Sequence, residues 1–205
     1  MVENEKDTLT ILLDAAKEEF MEKGYQLASL RTIAKKAGLT TGALYGHFKN
    51  KESLFDEIVA KDYNHLLDLY KKTLADFKEL PAEEQHARMM QRTNIAMKAM
   101  TVYVYEHKES FKLILCKSEG TKYNNLVHEL ARLDVDANHD FAKRSAGLGM
   151  NIKKVNADLE HMLISGMFST FFELIIHDIP EEEAGEYTAQ LMEFYSAGWK
   201  AVMGL

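Results

Sequence analysis

The 205-residue chain holds one cysteine and two prolines, and each scarcity excludes something. A lone Cys116 permits no internal disulfide framework and suits a reducing compartment. Pro81 and Pro180 each stand where a helix can start, which leaves long stretches free to be helical. The eight histidines never fall at His-x-x-x-His spacing, and no second cysteine is present to join them, so no metal site is expected. Gly147-Leu148-Gly149 lacks the third glycine and the preceding strand of a dinucleotide loop, so it reads as a break between helices, and no cofactor is expected. There is no Gly-x-Ser-x-Gly nucleophile and no Glu-x-x-His pair repeated on two helices, so the chain does not read as an enzyme. The opening MVENEKD is polar and acidic, unlike a secretory signal. The most apolar run, residues 162–176, is too short and too interrupted to span a bilayer. A cytoplasmic protein with no membrane partner is the expectation.

What the chain does have is 46% hydrophobic residues, ample for a packed core, and a formal net charge of −7. The apolar residues recur at helical spacing from end to end, and period-two alternation is nowhere sustained, so the fold class is all-α, with about nine helices. Leu9, Leu12, Leu13, Ala16 and Phe20 mark a first helix that stops near Gly24. Leu30, Ile33, Ala34 and Ala37 mark a short second one ending at Gly38, Ala43, Leu44 and Phe48 a third, and Leu54, Phe55, Val59, Tyr63 and Leu66 the opening of a long fourth. Further helices are predicted near 82–107, 110–117, 123–144, 156–177 and 181–202.

Charge is spread unevenly. From Gln26 to Lys51 the chain has Arg31, Lys35, Lys36, Lys49 and Lys51 and no acid, whereas its first 25 residues hold three lysines against seven acids. The basic segment contains two short helices, 29–37 and 41–47, joined by Gly38-Leu39-Thr40. This is the layout of a helix-turn-helix, in which the glycine supplies the turn and Leu39 plugs the angle between the helices. Its positive potential suits a phosphate backbone. A plain helical hairpin with a solvated basic face shares the pattern, so these features alone leave both readings open.

The run LRTIAKKAGLTTGALYGHFKNKESL, residues 30–54, resembles the signature of the TetR family of bacterial transcriptional regulators. It has the Ile-Ala pair, Ala-Gly, a small hydroxylic turn, Leu-Tyr, an aromatic Phe and Lys-Glu-x-Leu, and the likeness extends from Ala15 and Ala16 through Phe20, Gly24 and Tyr25 to Leu54 and Phe55. The resemblance implies an N-terminal helix-turn-helix DNA-binding domain over residues 1–50, and an all-helical effector-binding and dimerisation domain over 51–205. Its implied partners are double-stranded operator DNA, a second copy of the chain and an unidentified small-molecule effector. It also assigns DNA contacts: Ser29 and Arg31 on the second helix, Thr40, Thr41, Gly42, Ala43, Tyr45 and His47 on the third (the recognition helix), and Lys51 at the start of the fourth. The chemistry of these residues agrees. The threonine hydroxyls cap free N–H groups where a phosphate is also attracted, and Gly42 and Ala43 are small enough to let a helix sit deep in the major groove. Tyr45 and His47 are long enough to reach phosphates or bases, although either can instead pack on the helix's apolar face. Lys51, Ser29 and Arg31 suit phosphates. Gly46 stands where many members of the family carry a polar or basic residue, which leaves one possible contact empty.

In the penultimate helix Leu159, Met162, Leu163, Gly166, Met167, Thr170, Phe171, Leu174 and Ile175 follow the i, i+3, i+4, i+7 series, while Ile164, Phe168, Phe172 and Ile176 make its other side apolar. The last helix carries a second stripe, Leu191, Phe194, Tyr195, Gly198 and Val202. Two such helices suit a four-helix dimer interface, with Ser165, Gly166 and Ser169 permitting close approach. Candidate effector-lining residues, chosen for apolar bodies with polar tips or for aromatic bulk, are Tyr103, His107, Phe111, Tyr123, Phe141 and Phe168. The alternative to a small effector is a protein partner acting on the same DNA-binding fold.

Overall fold

The computed structural model describes residues 2–147 and 155–203, so Leu148 and Gly149 of the glycine break lie outside the described residues. Its elements are α1 (Val2–Leu27), α2 (Leu30–Lys36), α3 (Thr41–His47), α4 (Lys51–Lys78), α5 (Ala82–Glu106), α6 (Lys108–Cys116), a 3₁₀ turn (Lys122–Asn125), α7 (Leu126–Gly147), α8 (Ala157–Ile176) and α9 (Glu181–Met203). No strand occurs among the described residues. The helices form two compact units, one of residues 1–64 with 107–124 and the other of 65–106 with 125–205. Packing therefore does not follow a linear division at residue 50. The first unit also takes in the opening turns of α4 and the α6 segment.

Each boundary in the first unit has a local cause. α1 kinks at Gly24, whose φ of 73° and ψ of 164° are open to glycine and strained for other residues. The freed Tyr25 N–H donates to the Lys117 carbonyl at 2.8 Å, joining the end of α1 to the segment after α6. α4 opens on a reciprocal cap: Ser53 N–H donates to Asn50 Oδ1 at 2.8 Å, and Asn50 N–H donates to Ser53 Oγ at 3.2 Å. The core beneath is Leu12, Ala16, Phe20, Ile33, Leu44, Leu54, Phe55 and Val59, all fully buried. Phe20 meets Phe55 edge to face at 5.0 Å between centroids. The larger of these side chains contribute about 1.5–3 kcal/mol each in apolar burial, which holds the unit together.

In the second unit α7 packs on α8, α5 on α9, and α8 on α9. By length and composition alone α8 could cross a membrane. It is longer than the run read from sequence, and it serves as a core helix in which Ile164, Met167, Phe168, Phe171, Phe172, Leu174 and Ile175 are buried. A buried polar network runs beside it. Tyr70 Oη donates to Asp134 Oδ1 at 2.9 Å, and Arg92 Nη2 donates to the same carboxylate and, at 3.0 Å, to Asn138 Oδ1. Asn138 Nδ2 then donates to Glu160 Oε1 at 3.1 Å. Burial first, and then the Asp134 charge, push the Tyr70 phenol well above its ordinary value, so it stays a donor.

Candidate nucleic-acid interface

The turn between α2 and α3 is built on Gly38. Leu39 N–H reaches back to the Ala34 carbonyl at 2.8 Å and Gly38 N–H to the Lys35 carbonyl at 3.1 Å, a Schellman termination that requires a left-handed residue, here φ 68°. Leu39 is half-buried, consistent with a plug. Thr40 then caps α3, its Oγ1 accepting the Ala43 N–H at 3.1 Å, and Ser29 caps α2 in the same way, its Oγ accepting the Thr32 N–H at 3.4 Å. The cap hydroxyls are thus already engaged by the helix ends they start.

These caps fix which face of α3 points inward. Leu44 is fully buried and Phe48 nearly so, while Gly42, Ala43, Tyr45, Gly46 and His47 are exposed, Tyr45 by 54%. Thr41 is half-buried. The alternative in which Tyr45 packs into the apolar core is therefore corrected. A Cβ at Gly46 would meet nothing within 4 Å, so that position is open surface.

The cations divide sharply. Arg31, Lys35 and Lys49 are exposed and make no ion pair among the described residues. Lys36 is tied to Glu19 at 3.3 Å and Glu22 at 3.5 Å. Glu19, itself buried, also accepts the Ser29 N–H at 3.3 Å. Lys51, expected at a phosphate, here donates its ammonium to the carbonyls of Gln26 at 2.9 Å and Ala28 at 3.1 Å, and it lies over the Tyr25 ring, 4.8 Å from the centroid. Burial also pulls it below the ordinary lysine value. In this structure Lys51 closes the α1–α2 connection.

The six effector candidates divide between the two units. Phe111 and Tyr123 are buried in the first unit, where the Tyr123 hydroxyl donates to Asp56 at 2.7 Å and its ring meets Tyr63 edge to face at 5.0 Å. His107 lies in the same unit, 3.4 Å from Asp62. Tyr103, Phe141 and Phe168 belong to the second unit, and each has a neighbour there: His65 at 4.3 Å, Phe77 at 6.1 Å and Tyr70 at 5.3 Å between centroids. Aromatic bulk with a polar tip marks core packing as readily as a binding site. Sequence reasoning missed Arg92, a buried cation whose partners lie 42 and 46 residues away and so leave no local signal.

Residues 12–58 match the bacterial regulatory proteins of the tetR family. The HTH-type transcriptional repressor KstR2 of Rhodococcus jostii is 41% identical over 66 residues, which are 32% of each chain. The HTH-type transcriptional regulator UidR of Escherichia coli is 36% identical over 67 residues, 33% of this chain and 34% of its own. These matches span about a third of the curated relatives' length. The HTH-type transcriptional regulator AcrR of Shigella flexneri aligns over 93% of this chain and 90% of its own at 27% identity. Among solved structures, the transcriptional regulator FadR from Bacillus subtilis, in complex with stearoyl-CoA, shares the fold at a TM-score of 0.57 and 16% identity, covering 96% of this chain and 98% of that one. The TetR-family regulator PfmR of Thermus thermophilus shares it at 0.54 and 24%, covering 89% and 97%.

Proposed function

Because the chain belongs to the tetR family of bacterial regulatory proteins, which are transcriptional regulators and not enzymes, we propose that it is a cytoplasmic homodimeric repressor. It binds a palindromic operator and leaves it when a small molecule occupies the second unit. One observation carries the DNA reading: α3 presents Gly42, Ala43, Tyr45, Gly46 and His47 outward on a capped, core-anchored helix, with Arg31, Lys35 and Lys49 unpaired nearby in sequence. Ser29, Thr40 and Thr41 present helix N-termini to the backbone phosphates, Gly42, Ala43, Tyr45 and His47 read the groove, and Arg31 holds a phosphate. To residues 1–50 we assign DNA binding, and to 51–205 effector binding and dimerisation.

Dimerisation has its support on α8 and α9, where Met162 is 68% and Phe194 72% exposed, with Leu159, Ile176 and Tyr187 also uncovered. Two recognition helices are needed because one reads too few bases for tight binding. α4 is continuous from Lys51 to Lys78 and contributes to both units, which suits it to carry a change in the second unit to the first. A protein partner in place of the effector is favoured only by Ile95 and Val102 on α5, which are 62% and 61% exposed. The test is selection from a random duplex library: enrichment of an inverted repeat with half-sites about 10 base pairs apart supports the reading, and recovery of unrelated sequences contradicts it.

A further inference from the structure

α2 has seven residues, too few to hold a helical shape without outside contacts. Its N-terminus is only half capped from within. Ser29 Oγ accepts the Thr32 N–H at 3.4 Å, which is one half of a capping box. The other half needs a Glu or Gln at the third helical position to reach back to the Ser29 N–H, and Thr32 is too short for this. No acid lies in the first turn of α2. The missing acceptor comes from another helix: Glu19 of α1 takes the Ser29 N–H on Oε1 at 3.3 Å.

The same carboxylate reaches the far end of α2, where its Oε2 pairs with Lys36 at 3.3 Å. Glu19 thus ties both ends of α2 to the part of α1 that precedes the kink at Gly24, and it does so while only 3% exposed. Stability alone does not account for a carboxylate here, since an apolar side chain of similar size in place of a buried ion pair is often neutral or stabilising. What the carboxylate adds is direction, which apolar contact lacks. α2 in turn carries α3. Leu39 and Gly38 N–H groups return to the Ala34 and Lys35 carbonyls, and the Thr40 cap follows at once, so the turn and α3 move with α2.

We propose that Glu19 is a positioning residue for sequence reading: it sets the tilt of α2 on α1 and, through the turn at Gly38, the angle at which α3 enters the major groove. The proposal rests on the reading of α3 as the recognition helix. Its signature lies in specificity, because a mis-angled α3 still meets phosphates but loses its alignment with base edges.

The test is the ratio of affinities for the selected operator and a scrambled duplex, measured by anisotropy at one salt concentration on the full-length chain. Loss of folded protein lowers both affinities alike and cancels in the ratio, so a merely structural role leaves it unmoved. Glu19→Met fills the same space without an acceptor or a charge, and is expected to keep the urea midpoint at or above that of the parent while the ratio falls about tenfold or more, the value of one good base contact. Glu19→Gln keeps an oxygen for the Ser29 N–H and should recover most of the ratio. Lys36→Met breaks the ion pair from the exposed side of α2 without touching the core, and should lower the ratio too. A parent-like ratio in both Glu19→Met and Lys36→Met, or a Glu19→Gln chain no more specific than Glu19→Met, would overturn the proposal. A parent chain that does not distinguish its operator from the scrambled duplex contradicts the reading of α3, and the role of Glu19 falls with it. A specific parent with equally specific variants contradicts Glu19 alone.

Discussion

At the residue scale the basic segment is not a uniform patch, and its cations make different contributions. Arg31 is exposed and unpaired among the described residues, so Arg31→Ala should weaken binding to every duplex alike. The variant takes one cation off the phosphates in each subunit and two in the dimer, which lowers the slope of log affinity against log salt by about 1.8. Anisotropy titrations across a salt series check this, and an unchanged slope would remove Arg31 from the set of phosphate-binding residues. Lys51 is held by two carbonyls and the Tyr25 ring. Lys51→Ala is expected to cost about 1–2 kcal/mol of stability by removing charge-assisted hydrogen bonds at a partly exposed site, read as a lower urea midpoint, and to change the salt slope less than Arg31→Ala does. The sequence showed both residues as cations in an acid-free stretch. It did not show which one folds back on the chain, because the carbonyls of residues 26 and 28 become acceptors only after Gly24 kinks α1.

At the element scale the helix-turn-helix was legible almost residue by residue, since caps and turns are local. Thr40, Gly38 and Ser29 each stand at the position their chemistry favours, and α3 runs over Thr41–His47 as its spacing predicts. Gly38→Ala meets no atom within 4 Å, so its cost is backbone strain alone, about 1–2 kcal/mol for a left-handed alanine. Thr40→Ala should cost about 1 kcal/mol by uncapping α3. Chemical denaturation measures both, and a Gly38→Ala chain as stable as the parent would contradict the turn described here. α8 was legible as a helix but not in its partners. Within the chain, a Cβ at Gly166 would lie 3.5 Å from the Tyr195 hydroxyl. Apolar periodicity shows that a face is covered without showing what covers it.

At the scale of the whole molecule, two compact units share α4, and the second exposes apolar side chains on α8 and α9. Phe194→Asp places a charge on that surface and should give a folded monomer with weakened operator binding. Phe172→Asp buries a charge in the core and should unfold the second unit instead. Sedimentation and circular dichroism separate the two outcomes, and a dimeric Phe194→Asp chain would place the interface elsewhere. A cavity between α4, α5 and α7 was the least legible part of the sequence, because cavities form from residues far apart in the chain: Phe77, Arg92 and Arg144 lie on three helices. The central claim is that the exposed face of α3 reads DNA sequence. Its most direct measurement is the ratio of affinities for the selected operator and a scrambled duplex, in the parent chain and in Tyr45→Ala/His47→Ala. This ratio should fall by about tenfold or more in the double variant, at about 1–3 kcal/mol per good base contact, with stability unchanged because both side chains are exposed. An unchanged ratio would show that α3 does not carry the specificity.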